Sequence, residues 1–309
     1  MSIVPPMVLT REEMSFDFGG ARFDVERDRE LLVWIFDQFL YGEVTGIQVG
    51  HWLYRAPTLD AANFLARQAV EELQHVDRFL EIFGILSATP GPAHPAVRFL
   101  STGMMSDDWN EHVCLEMALG EGYVLTVLYG LIDTLEHGQI RSILQRATRQ
   151  EERHVAFGES ETIKALQEKP RDRRRLLGLS LWSLVAIGLL ARAVERRASD
   201  EHPVLRQFPD FLRHVNRTTE LRLERLGILN APFSEIGLLS KSGMMSFAAV
   251  GHLANRLWPR RRPRLTATYL QDARMRSGTN QRGRAGHAPH AADGTGDEMR
   301  DLTDVVDLE

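Results

Sequence analysis

Two short stretches pair a carboxylate with an imidazole three residues later: Glu72-Leu73-Gln74-His75 and Glu151-Glu152-Arg153-His154. On a helix, residues three apart share one face, one turn apart. A carboxylate and an imidazole so placed can grip one metal ion from the same side. Each pair has a further glutamate about 30 residues upstream, Glu43 and Glu121. Both sit in weakly polar runs, Leu40 to Ile47 and Ala118 to Leu125, where an ionised carboxylate needs a partner or a metal.

The elements that must position these residues follow from breakers and spacing. Pro57 is unfavourable inside a helix and biases Ala56 away from helical dihedrals, and Thr58 is a suitable N-cap for the next helix. Glu43 lies 14 residues before Pro57 and Glu72 lies 15 after it. In an antiparallel hairpin the two share one depth, about 21 Å from the turn. Glu136-His137-Gly138 reads as the second turn, with Gly138 taking a left-handed conformation at a helix end. Glu121 lies 16 residues before His137, and Glu151 lies 14 after it. Glu43, Glu72, His75, Glu121, Glu151 and His154 are therefore expected at one level of a four-helix bundle. One Glu from each of two helices and Glu-x-x-His from the other two is the ligand pattern of dimetal carboxylate bundles. Four carboxylates and two neutral imidazoles balance the charge of two divalent cations.

Composition narrows the function classes. The chain has 309 residues, 43 % of them apolar, enough for a sizeable core in one large domain or two small ones. A formal net charge of −5 gives no general argument for nucleic-acid binding. A single cysteine, Cys114, excludes an internal disulfide framework, a four-cysteine iron site and a zinc ribbon, and suits a reducing, cytoplasmic setting. The first residues show no basic and then apolar pattern of a secretory signal.

Along the chain, residues 1–25 read as an irregular lead-in, and 26–230 as the metal-binding domain. Its helices are expected at about 26–54, 58–86, 107–135 and 139–168. The Pro-rich 87–105 stretch would form the crossover between the two hairpins. Two extra helices follow, one on the 16-residue apolar run Leu176 to Ala191 and one at about 203–226. That run falls short of the roughly 20 residues a membrane span needs. A basic extension occupies 231–272, with a short amphipathic helix at about 243–258 and the arginines Arg256, Arg260, Arg261, Arg262 and Arg264 as a solvated cluster. Residues 273–309 hold little to bury and are expected to be disordered. The fold class is thus all-α, a ferritin-like four-helix bundle of two antiparallel hairpins joined by a long crossover, with additional C-terminal helices.

Other polar residues are given ordinary roles. Glu71, Glu81, Glu116, Glu159 and Glu161 read mainly as solvated acids. His94, His112 and His137 lie off the metal level. Trp34, Tyr41, Trp52 and Tyr54 read as packing residues. Gly42, Gly46, Gly120 and Gly122 flank the upstream glutamates, which suits either an open cavity or close helix approach.

Glu151-Glu152-Arg153-His154 resembles the Asp-Glu-x-Arg-His signature of bacterial dimetal oxygenases from its Glu onward, with Gln150 where those enzymes usually carry Asp. The first repeat has Glu71 at that position and Gln74 instead of Arg. The resemblance makes Glu71, Gln150 and Arg153 candidates for orienting the ligands, because the family's Asp holds the second ring nitrogen of a metal-bound histidine. Glu43-Val44-x-Gly46, Gly50-x-Trp52, Arg55-Ala56-Pro57-Thr58-Leu59 and Glu72-x-x-His75 together resemble the catalytic subunit of phenylacetyl-CoA epoxidase, in the ferritin-like group that includes benzoyl-CoA epoxidase. The likeness covers roughly residues 30–230.

It implies a non-haem di-iron, O₂-activating oxidoreductase of monooxygenase type, with two Fe ions and a separate reductase or ferredoxin as electron donor. Manganese suits the same ligands. The substrate would be a small organic molecule, hydroxylated or epoxidised, and a thioester is compatible with it. No nucleic-acid partner is expected, and a homodimer is compatible with the sequence. The alternatives are a bacterioferritin-like ferroxidase or peroxide-reducing iron protein, and an acyl-carrier desaturase.

Overall fold

The computed structural model describes residues 6–103, 108–196 and 202–257, and among them the secondary structure is helical apart from one isolated bridge between Phe23 and Leu135. The helices are α1 (Arg11–Met14), α2 (Arg29–Gly46), α3 (Leu59–Ile85), α4 (Pro95–Arg98), α5 (Trp109–Thr134), α6 (Gly138–Glu168), α7 (Arg173–Glu195), α8 (Phe208–Arg225) and α9 (Leu238–Leu257).

Local chemistry sets the helix ends close to the expected ones. Thr58 caps α3 by accepting from the Ala61 amide at 3.1 Å. The helix before Pro57 is shorter than 26–54: α2 starts at Arg29, and beyond Gly46 the backbone tightens into a 3₁₀ stretch, Ile47–Tyr54. The second turn departs from expectation. His137 caps α6 through Nδ1, 3.4 Å from the Ile140 amide, so Gly138 is simply the first helical residue. Among the described residues the left-handed glycines are Gly19, Gly20 and Gly227, the last just past the end of α8.

Between His112 and Glu121, α5 is wound as a π-helix rather than an α-helix. Such stretches are rare and cluster at functional sites. This one ends on Glu121. It lies close to α6, where a Cβ on Gly158 would come 2.7 Å from the Ala118 amide nitrogen.

α3 packs against α2 and α6, and α6 against α5. Phe36, Phe79, Leu128 and Leu144, one from each of these helices, belong to one buried apolar cluster. Seven residues from each lie Glu43, Glu72, Glu121 and Glu151, a step of about 10 Å along a helix axis. Beyond them Trp52, Leu65, Met117 and Phe157 join a second apolar cluster. A layer of carboxylates is thus held between two hydrophobic layers.

The remaining elements wrap this arrangement. The lead-in is anchored: Leu9, Met14, Phe18 and Phe23 are all buried. The 16-residue apolar run lies within a longer helical stretch, Pro170–Glu195, that includes α7. It and Trp109–Thr134 are long and apolar enough to cross a membrane by length and composition, yet most of each apolar window is buried within the protein. Trp52 is fully buried, whereas Tyr54 is 59 % exposed and is not the packing residue expected. The expected disordered tail, 273–309, and most of the arginine cluster lie outside the described residues.

Candidate metal centre

Each predicted ligand comes from a different turn of four helices, and the structure brings all six together. Glu43, Glu72, His75 and Glu151 offer ligand atoms within 4.8 Å of one another, and so do Glu72, Glu121 and His154. The first four are buried and could hold a metal ion.

The two groups share carboxylates. Glu72 places Oε2 3.7 Å from His75 Nδ1 and Oε1 3.5 Å from His154 Nδ1. Glu151 does the same, with Oε1 3.0 Å from His75 Nδ1 and Oε2 3.6 Å from His154 Nδ1. Glu43 stands on the His75 side, its Oε2 3.1 Å from Nδ1. Glu121 belongs to the His154 side. The ring centroids are 6.0 Å apart. Two subsites result, each with its own imidazole and its own glutamate, bridged by two carboxylates that each present one oxygen to either side.

The outer ring nitrogens are held by the opposite repeat. His75 Nε2 lies 2.9 Å from Gln150 Oε1, and His154 Nε2 lies 2.6 Å from Glu71 Oε2. An Arg78 guanidinium N–H also donates to that Gln150 oxygen, which fixes it as the acceptor. Both Nε2 atoms therefore donate outward and both Nδ1 atoms face the carboxylates, so a cation that displaced the Nδ1 proton would meet a ring lone pair. The supports repeat the symmetry: Arg153 donates to Glu71 at 2.6 Å, and the Gln150 amide donates to Gln74 Oε1 at 3.0 Å. Glu71 is thus part of this framework rather than a solvated acid.

Without a cation, protons must do the neutralising. Burial pushes the Glu43 carboxyl up to about 8, beyond what the nearby His75 offsets. Burial raises Glu121 well above the ordinary carboxylate range too. Burial alone would lower both histidines, but Glu43 and Glu151 around His75, and Glu151 and Glu71 around His154, outweigh it and raise them. Glu121 Oε2 and His154 Nδ1 are sealed from water with no hydrogen-bond partner. A buried carboxylate oxygen and a buried ring nitrogen left without partners, with ligand atoms of their residues within 4.8 Å of one another, fit a site for a cation.

Comparison with protein families, curated proteins and solved structures finds no match.

Several neighbours were not marked by sequence. Gln68 donates to Glu121 Oε1 at 2.8 Å and to Glu72 Oε1 at 3.3 Å. It sits one helical turn before Glu72 on the same buried face, and that spacing was the available signal. Glu159, expected at the surface, is buried and paired with buried Arg222 at 2.9 Å. Arg222 fills the space beside Gly122, where a Cβ would lie 2.7 Å from its Cζ. Gly122 therefore serves close packing. Gly46 makes room for the Glu72 carboxylate, 2.7 Å from its would-be Cβ, and only Gly42 of the two on α2 faces open space. His112 is buried, stacked on Trp52 with centroids 4.2 Å apart and bonded to Glu116 at 2.7 Å.

A cavity of about 360 Å³ adjoins the centre, with Glu43, Glu72, Glu121 and Glu151 in its wall. That volume lies within the roughly 300–1,000 Å³ typical of small-molecule sites.

Proposed function

We propose that this chain is a ferritin-like dimetal oxygenase that inserts one oxygen atom of O₂ into a small organic substrate. The observation carrying this reading is the sharing of Glu72 and Glu151 between His75 and His154. Hard carboxylate oxygens with neutral imidazoles suit iron, and suit manganese as well. Iron would be held by Glu43, His75 and the two shared carboxylates on one side, and by Glu121, His154 and the same carboxylates on the other. Bound there, a pair of reduced iron ions supplies O₂ activation.

The chain's own residues do the rest. The two apolar layers exclude bulk water from the carboxylates. Gln150 and Glu71 fix both imidazoles with Nδ1 inward. A substrate in the cavity lined by Glu43 and Glu121 would lie beside the centre. In the balance, one oxygen atom enters the substrate, and the other leaves as water with two electrons and two protons. Those electrons come from a separate reductase or ferredoxin, since the one cysteine, Cys114, is buried and unpaired.

A substrate-sized cavity favours oxygenation over bacterioferritin-like iron oxidation. Desaturation uses the same site and electrons. Single-turnover reaction of Fe(II)-loaded protein with ¹⁸O₂ separates these: label in the product supports oxygenation, a new double bond without label supports desaturation, and oxidised iron with every substrate unchanged supports iron handling.

A further inference from the structure

We infer that the cavity takes a long, uncharged hydrocarbon chain, with the carbon to be oxidised beside Glu43 and Glu121. This deepens the oxygenase reading and rests on it for the reaction, though not for the binding.

Shape is the first reason. From Glu121 the wall continues along α5 to Thr134, and from Glu43 along α2 to Trp34, lengths of about 20 Å and about 13 Å along a helix axis. An extended chain advances roughly 3.5 Å for every three bonds. The arm therefore accommodates on the order of a dozen carbons in line, longer than a compact aryl group would fill.

Chemistry is the second. Away from the metal level the arm is walled by Phe39, Val127, Leu131, Phe208 and Phe211. Among the described residues, no lysine or arginine lines the cavity. A carboxylate, phosphate or coenzyme A nucleotide drawn into the arm, away from the metal level, would lose hydration with no described cationic side chain to compensate. Any charged head must stay outside, and the part inside is hydrocarbon. Gly42 lines this cavity with nothing within 4 Å of a would-be Cβ, so space is kept open next to Glu43.

The test is calorimetric titration of the full chain, metal-free and Fe(II)-loaded under anaerobic conditions, with 1-alkanols of increasing length and with phenylacetyl-CoA and benzoyl-CoA. Affinity should rise about fourfold per added methylene until the arm is filled, in both metal states, with the aryl thioesters weaker. Gly42→Leu and Val127→Phe should each bring the plateau to shorter chains while helical circular dichroism stays unchanged. Two independent variants guard against one that misfolds. An affinity independent of chain length, or tighter binding of the aryl thioesters, overturns the inference. Two irons taken up without chain binding removes this inference and leaves the oxygenase reading. Chain binding by a protein that takes up no metal does the reverse.

Discussion

Gln150 Oε1 accepts from His75 Nε2 at 2.9 Å, so the residue in front of the second Glu-x-x-His motif steadies the histidine of the first. Glu71 returns the favour to His154 at 2.6 Å. The crossing makes the two subsites unequal: one imidazole leans on a neutral amide and the other on a carboxylate braced by Arg153. A carboxylate partner raises imidazole basicity more than an amide does.

The two supports should therefore act on different ions. Gln150→Ala should weaken one of two bound ions by about 10- to 100-fold and leave the other nearly unchanged, and Glu71→Ala should do the same to the other. Competitive metal titration resolves the two classes. Equal weakening of both ions by either variant would contradict separate subsites.

Gly122 and Arg222 are expected to be coupled through packing. A methyl group at Gly122 must displace a guanidinium that is buried and bound to Glu159. Gly122→Ala should cost about 1–3 kcal/mol from overpacking. Arg222→Ala should cost about 3–5 kcal/mol by leaving a buried carboxylate unpaired. Denaturant unfolding measures both. A double variant no worse than Arg222→Ala alone would show that the guanidinium is what Gly122 accommodates.

The bundle arithmetic was legible because Pro57, Thr58 and the two motifs act through local helix geometry. The six candidate ligands could be brought to one level by counting residues from two turns. The crossed supports were not legible in the same way. Which imidazole Gln150 meets depends on the rotation of α3 against α6, and spacing within one helix does not carry that. Gly122 was ambiguous for a related reason, since its neighbour Arg222 is 100 residues away in sequence. The π-wound stretch before Glu121 has no composition of its own to announce it. Glu159 looked like a surface acid because its buried partner arrives from α8.

Acid should remove a different contribution. Burial pushes Asp28 up, but hydrogen bonds from Arg27, His202 and the Asp24 amide outweigh it and hold the carboxyl at about 2, below its ordinary 3.8. A depressed folded value stabilises above about pH 4, and that contribution is lost as the pH falls toward 2. Asp28→Asn should cost about 1–2 kcal/mol at neutral pH, with the gap to wild type closing between about pH 4 and 2. Thermal melts across that range check it, and a gap that persists at pH 2 would show that the carboxylate's charge is not what matters.

The dimetal centre itself is tested most directly by anaerobic Fe(II) titration of the wild-type chain, followed by metal analysis after desalting. Two ions per chain are predicted. Glu72→Ala and Glu151→Ala should each lose the paired site, because each removes a carboxylate shared by both imidazoles. A wild-type protein that retains one ion or none, or a Glu72→Ala variant that still retains two, would contradict the account.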